Sequence, residues 1–184
     1  MGFTTDRFAL TTIVWDDTQQ PAIQLRDVGA HIPTIEQING TSWWAPNFDA
    51  IGDQLAYTVQ FPHKLSEQAT VTVTPHVHWM SSSDSANVVR WQLSYQWLNT
   101  GEVLGADTTI TVDGTPSAYE AQKNYFAAQS KAGALISSIF AGTLTRITNG
   151  ATDYTGEVYL LFLDLHFQID TLGSDSPGTK SFPS

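Results

Sequence analysis

Residues 88–98 read VVRWQLSYQWL, and the alternation along this stretch decides the fold class. Apolar and aromatic side chains occupy every second position, and polar side chains occupy the positions between them. A period of two is typical of a β-strand with one buried face and one wet face. We therefore predict a strand whose core face carries Val89, Trp91, Leu93, Tyr95 and Trp97.

The same period recurs on both sides of this strand. The stretch TVTVTPHVHWM, residues 70–80, predicts a second strand, with valines and Trp79 on one face and His76 and His78 on the other. TTITV, residues 108–112, predicts a third strand, and EVYLLFLDLHFQID, residues 157–170, a long fourth strand. We expect the core face of the fourth strand to carry Tyr159, Leu161, Leu163, Leu165, Phe167 and Ile169.

Many short strands and almost no helical pattern predict an all-β protein, an antiparallel β-sandwich or jelly roll. Residues 134–148 fit a strand or a helix, and their Ile, Thr and Phe content favours a strand. We place the sandwich core at residues 56–172. Residues 1–55, with three prolines between residues 16 and 55, predict an extended N-terminal arm that packs on the body or on a neighbouring subunit. Residues 173–184 predict a flexible tail.

Composition excludes several functional classes. The 184 residues include eight basic and 18 acidic residues, for a net charge of −10, and the basic residues are scattered. Phosphate backbones are bound mainly by Lys and Arg, so we predict no nucleic-acid partner.

The longest apolar run, residues 158–163, is too short to span a bilayer, and the N-terminus lacks a basic region and a long apolar stretch. We therefore expect a protein made in the cytoplasm, with no membrane partner.

The two histidines of the second strand raise the question of a metal site. His76 and His78 lie two residues apart, so their rings share a face, and His166 with Asp164 shares a face of the fourth strand. Cupin-type jelly rolls begin a metal site with such a pair, but they continue with a Glu about four residues later, which is missing here. The alternative is a structural role on a half-exposed sheet face. We predict no metal and no cofactor, with His76, His78 and His166 as the candidates if a metal were present.

No catalytic motif is recognisable. The chain has no cysteine, no G-x-S-x-G and no phosphate-binding glycine loop. Asp16 and Asp17 are adjacent on an extended stretch and point opposite ways, which is unsuited to the paired carboxylates of a glycosidase. We therefore predict that the protein is not an enzyme. The aromatic residues of WWAPNF, namely Trp43, Trp44 and Phe48, are candidates for a protein–protein interface.

Five blocks occur in an order that resembles a family of tailed-bacteriophage and prophage virion structural proteins. They are WDD…PA (residues 15–22), QFPHKL (60–65), VTPHVHWM (73–80), NVVRWQLSYQW (87–97) and LDLHFQIDTLGS (163–174). The blocks with HVHW and HFQIDT are the most specific, and the resemblance covers residues 15–174. Residues 175–184, DSPGTKSFPS, differ from the charged tail that is common in the family.

The resemblance implies a jelly-roll capsid decoration (cement) protein on the exterior of the virion. Such proteins are homotrimers that bind the major capsid protein and lock its neighbouring subunits together. The resemblance transfers no catalytic residue. Two alternatives remain: a head–tail collar, baseplate or fibre-base module of the virion, and a cupin-like metal-binding enzyme.

Overall fold

The computed structural model describes residues 9–68, 70–130, 133–150 and 152–171. The strands in these residues form two antiparallel sheets. Side chains from both sheets meet in one apolar core, so the fold is a β-sandwich, as the alternation predicts. No helix among the described residues is long and apolar enough to cross a lipid bilayer.

The first sheet is built around two long central strands. These are β6 (Thr72–Ser81) and β12 (Val158–Thr171), which pair with each other. The far edge of β12 pairs with β4 (Trp44–Asn47) at one end and with β1 (Ala9–Pro21) along the rest, and β4 pairs with β3 (Thr34–Gln37). The far edge of β6 pairs with β9 (Gln122–Tyr125) and β10 (Gln129–Ser130).

The second sheet has five strands. In spatial order they are β2 (Arg26–Asp27), β5 (Gln54–Gln60), β11 (Ile139–Ile147), β7 (Val89–Leu98) and β8 (Thr108–Gly114). Short 3₁₀ turns lie at Ala22–Gln24 and Ile38–Gly40. The ambiguous stretch at residues 134–148 therefore supplies a strand, β11.

The structure confirms the core face predicted for β7. Val89, Trp91, Leu93 and Tyr95 are buried, and Trp97 is partly buried against the same core. Trp91 reaches across the sandwich, where its ring makes edge-on contacts with Phe48 and Trp79 at centroid distances of 5.2 and 6.3 Å. Such aromatic contacts add to the burial of apolar area, so this cluster is the centre of the core.

Strand β12 departs from its predicted core face at one end. Leu163, Leu165, Phe167 and Ile169 are in the main core as expected, but Tyr159 and Leu161 are not. Leu160 lies opposite Trp79 and Phe162 opposite His78, so one extra residue interrupts the register as a β-bulge. A one-residue bulge inverts the alternation, so Val158 and Leu160 enter the main core instead.

The N-terminal region also differs from the predicted arm. Between residues 9 and 55 the chain supplies strands to both sheets, and the predicted boundary at residue 55 falls inside β5. Ala22, Leu25 and Phe48 belong to the main core, so this region is part of the sandwich. Side-chain alternation is hard to recognise in β2, β3 and β4 because they have only two to four residues. The predicted tail at residues 173–184 lies outside the described residues.

The outer face of the first sheet has two distinct zones. At one end Ile38, Ala45, Met80 and Tyr159 form a small buried apolar cluster, with Leu161 packed against it. Farther along β6 and β12 the same face carries His76, His78, Asp164 and His166. The bulge thus separates an apolar half of this face from a polar, titratable half.

Candidate functional site

Three neighbouring strands bring five titratable side chains together on the outer face of the first sheet. β6 supplies His76 and His78, β12 supplies Asp164 and His166, and β1 supplies Asp17. Asp164 lies directly opposite His76, and Asp17 directly opposite His166. Side chains directly opposite each other on adjacent antiparallel strands are close enough to interact, so the strand register itself assembles the group.

The carboxylate of Asp164 is the centre of this group. Its Oδ2 lies 3.4 Å from Nε2 of His76 and 3.1 Å from Nε2 of His78, and its Oδ1 accepts a hydrogen bond from the backbone N–H of Gln20 at 3.3 Å. A second carboxylate–histidine contact joins Nε2 of His166 to Oδ2 of Asp17 at 3.4 Å. The ring of His76 lies between the two pairs, 4.9 Å from the ring of His78 and 4.3 Å from that of His166.

Burial is uneven across the group. The side chains of His76 and Asp164 are 1% and 5% exposed, whereas those of His78 and His166 are 32% and 31% exposed. Within the described part of the chain, Nδ1 of His76 is buried and has no hydrogen-bond partner, and the same holds for Oδ1 of Asp17. The group is therefore a partly sealed polar site, open to solvent on the side of His78 and His166.

The partial burial shifts two of the pKa values. Desolvation lowers the pKa of His78, although the nearby Asp164 carboxylate acts in the opposite direction. Desolvation likewise raises the pKa of Asp17, although His166 opposes the shift. Both shifts disfavour the charged form, as expected for groups withdrawn from water.

The sequence anticipates most of this group. Its three histidines are those named as candidates, and Asp164 shares the predicted face with His166. Asp17 is the residue that sequence reasoning missed, because nothing in the sequence indicates that β1 pairs with β12. As expected, the adjacent Asp16 points elsewhere and forms an ion pair with Lys64.

A second feature is an exposed apolar patch, here called the tryptophan patch, formed by Ile23, Trp43 and Trp44. Their exposed fractions are 55%, 53% and 54%, and all three line one cleft. Other residues of the cleft come from the end of β1, the 3₁₀ turn that follows it, β4 and the bulge of β12: Pro21, Ala22, Ala45, Pro46, Leu160, Leu161 and Phe162. Phe48, predicted as an interface residue together with the tryptophans, is instead fully buried against Trp91. It points inward from the end of β4, so only the tryptophans remain as interface candidates.

Comparison with known proteins gives distant structural likenesses only. No family model matches the chain, and no curated protein matches it. A CBM36-1 domain of a multidomain xylanase from the hindgut metagenome of Trinervitermes trinervoides has a TM-score of 0.49 at 13% identity, covering 82% of this chain and 96% of that chain.

Two further solved structures cover most of this chain. The infectious bursal disease virus Gx strain structure has a TM-score of 0.45 at 9% identity, covering 92% of this chain and 34% of that chain. Dimeric latent PorU from Porphyromonas gingivalis has a TM-score of 0.39 at 14% identity, covering 88% of this chain and 13% of that chain. This chain thus spans about a third and about an eighth of their lengths, and likenesses at this level assign no function.

Proposed function

We propose that this chain is a structural protein of a tailed-bacteriophage virion, and specifically a capsid decoration protein. In this proposal a homotrimer binds the outer surface of the major capsid lattice and holds neighbouring capsid subunits together. The sequence blocks given above motivate the family, and the tryptophan patch is the structural observation that supports the binding role.

The tryptophan patch has the properties of a protein-binding surface. Tryptophan is among the residues that contribute most to protein–protein binding, and large exposed apolar patches on monomers commonly mark interaction sites. Trp43 immediately precedes β4, and Trp44 begins it and pairs with Gln37 of β3, so a sheet edge positions the patch. A surface held by a sheet is already ordered, which lowers the entropy lost on binding.

The remaining properties suit a shell protein. A surplus of negative charge keeps unassembled copies apart in solution. The core joins residues that are distant in the chain, such as Phe48 and Trp91, which favours resistance to local opening. A trimer presents three patches at once, so even a weak single contact gives firm attachment through avidity.

Replacing Trp43 and Trp44 together by alanine should reduce binding to capsids at least about 100-fold, because each trimer loses three pairs of anchoring side chains. The melting temperature should stay close to that of the wild type, since both side chains are half exposed. Co-sedimentation with shells from a phage that lacks this chain measures the binding, and light scattering measures the oligomeric state.

A matched control replaces Val103 and Leu104, which are exposed apolar residues in the loop between β7 and β8, by alanine. This control should bind capsids like the wild type. If the Trp43→Ala/Trp44→Ala variant is a trimer that binds normally, or if it becomes monomeric, the patch is not the capsid contact. If the wild-type protein shows no affinity for shells, the decoration proposal itself is wrong.

A further inference from the structure

The side chains of His76, His78 and Asp164 form a compact triad on β6 and β12. One ligand atom of each lies within 4.8 Å of the others. We infer that this triad binds one divalent transition-metal cation, best matched by Zn²⁺, as a cross-link between the two central strands of the first sheet. This inference does not depend on the proposed function and reverses the expectation drawn from the incomplete cupin spacing.

The distances within the triad fit the ligand spacing of a metal site. Zinc binds His nitrogen and carboxylate oxygen at about 2.0–2.2 Å, so two ligands of a tetrahedral ion lie about 3.3–3.6 Å apart. Nε2 of His76 and Nε2 of His78 lie 3.4 and 3.1 Å from the same atom, Oδ2 of Asp164. Both distances are within about 0.2 Å of the edge of that tetrahedron. The longer one exceeds the usual range of about 2.7–3.2 Å for an N–H···O hydrogen bond.

Burial gives an independent reason for a cation. The carboxylate of Asp164 is almost fully buried, and its only backbone donor in the described structure is the N–H of Gln20 at 3.3 Å. An ionised carboxylate withdrawn from water needs a compensating positive charge. Beside it, His76 is 1% exposed, and its Nδ1 has no hydrogen-bond partner among the described residues. A bound cation would supply the charge and would use the lone pair of the other ring nitrogen, Nε2, which faces Asp164.

The neighbouring pair, Asp17 and His166, completes the surroundings expected of such a site. Histidines that bind a metal usually direct their second ring nitrogen to a carboxylate, a carbonyl or a water molecule. Ligand atoms of Asp17, His76 and His166 also lie within 4.8 Å of one another, and Oδ1 of Asp17 has no partner. Asp17 and His166 therefore place a carboxylate and an imidazole beside His76, and β1 borders the site as well.

The ligand types indicate which ion the triad would select. Two imidazole nitrogens, one carboxylate oxygen and no thiolate suit Zn²⁺, with Co²⁺ and Ni²⁺ as substitutes, whereas Ca²⁺ and Mg²⁺ prefer sites made of oxygen. The fourth position would face solvent on the side of His78, which is 32% exposed.

The test uses untagged protein that has been stripped with EDTA, equilibrated with zinc chloride and freed of excess metal. Elemental analysis should find about one zinc per chain. At a zinc concentration about 100-fold above its Kd, the melting temperature should rise by about 5–11 °C, and EDTA should reverse the rise. Cobalt chloride should give the visible absorption of a tetrahedral Co²⁺ centre, a signature that a general effect on folding does not produce.

The His78→Ala variant removes a ligand that is one-third exposed, so it should fold and lose stoichiometric zinc and the cobalt spectrum. A His31→Ala variant is the matched control, since that exposed histidine lies outside the triad, and it should bind zinc like the wild type. Folded wild-type protein with well under one zinc per chain would overturn the inference. Unchanged zinc binding by His78→Ala would overturn it equally.

Discussion

Replacing Trp91 by alanine is expected to lower the free energy of unfolding by about 3–5 kcal/mol, the loss typical of a buried tryptophan reduced to a methyl group. Trp91 is completely buried and makes edge-on contacts with Phe48 and Trp79. Both sheets contribute to this cluster. The substitution would therefore leave a cavity between the sheets, which a shift of one strand cannot fill. For a domain of this size the loss corresponds to a fall in melting temperature of about 6–20 °C, measurable by calorimetry.

Two other substitutions make this prediction specific. Trp91→Phe should cost much less than Trp91→Ala, because the phenyl ring keeps most of the packing and the buried Nε1 has no hydrogen-bond partner to lose. Trp44→Ala removes a half-exposed tryptophan and should leave stability almost unchanged. A Trp91→Ala protein with the melting temperature of the wild type would contradict the placement of Trp91 in the main core between the two sheets.

The second large effect is expected at Arg146, a buried cation in β11. Its side chain donates hydrogen bonds to the backbone carbonyls of Phe48 and Tyr154. The guanidinium carbon Cζ also lies over the ring of Tyr154, 6.0 Å from the ring centroid. Burial lowers the pKa of Arg146, and the nearby Asp53 and Asp153 oppose that shift. The guanidinium thus joins β11 to the end of β4 and to the loop that precedes β12.

Arg146→Ala should lower the free energy of unfolding by about 3–5 kcal/mol, because it leaves two buried carbonyls without donors and creates a cavity. Denaturant titration of the purified variant measures this. The control is Arg90→Ala, which removes an arginine paired with Asp113 at the surface and should melt close to the wild type. Equal melting temperatures for the two arginine variants would mean that Arg146 does not hold these segments together.

Strands β7 and β12 show why the sequence predicts the core face of one strand fully and that of another only in part. In β7 polar residues separate the apolar ones, so the alternation has one interpretation. At the start of β12 the sequence VYLLFL is apolar at every position, and either set of alternate residues could face the core. The bulge between Leu160 and Phe162 determines which set of alternate residues faces the core, and the position of the bulge depends on the pairing with β6.

The N-terminal region illustrates a different limit. Its strands other than β1 have two to four residues, too short to show a period, and they are stable only because longer strands flank them. Apolar residues there divide between the core, as for Phe48, and the surface, as for Trp43 and Trp44. Sequence alone identified the cluster of aromatic residues but not which of them point outward.

For the histidine group, the sequence predicts which side chains share a face of one strand, but it does not predict which strands lie next to each other. The spacings H-x-H and D-x-H show that His76 and His78, and Asp164 and His166, share faces of their own strands. That the two pairs lie opposite each other, with Asp17 beside them, follows from register and strand order. Both are consequences of the whole fold, so a local motif comparison could not show that these side chains lie together.

Quantitative mass spectrometry and cryo-electron microscopy of intact particles test the central proposal most directly. The decoration proposal implies that a phage or prophage genome encodes this chain, and the particles should be those of that phage. The decoration proposal predicts hundreds of copies per particle, arranged as trimers on the outer surface of the capsid with the tryptophan patch against the major capsid protein. A dozen copies or fewer at the head–tail junction, the baseplate or the fibre base, or no copies in the particle, would contradict it.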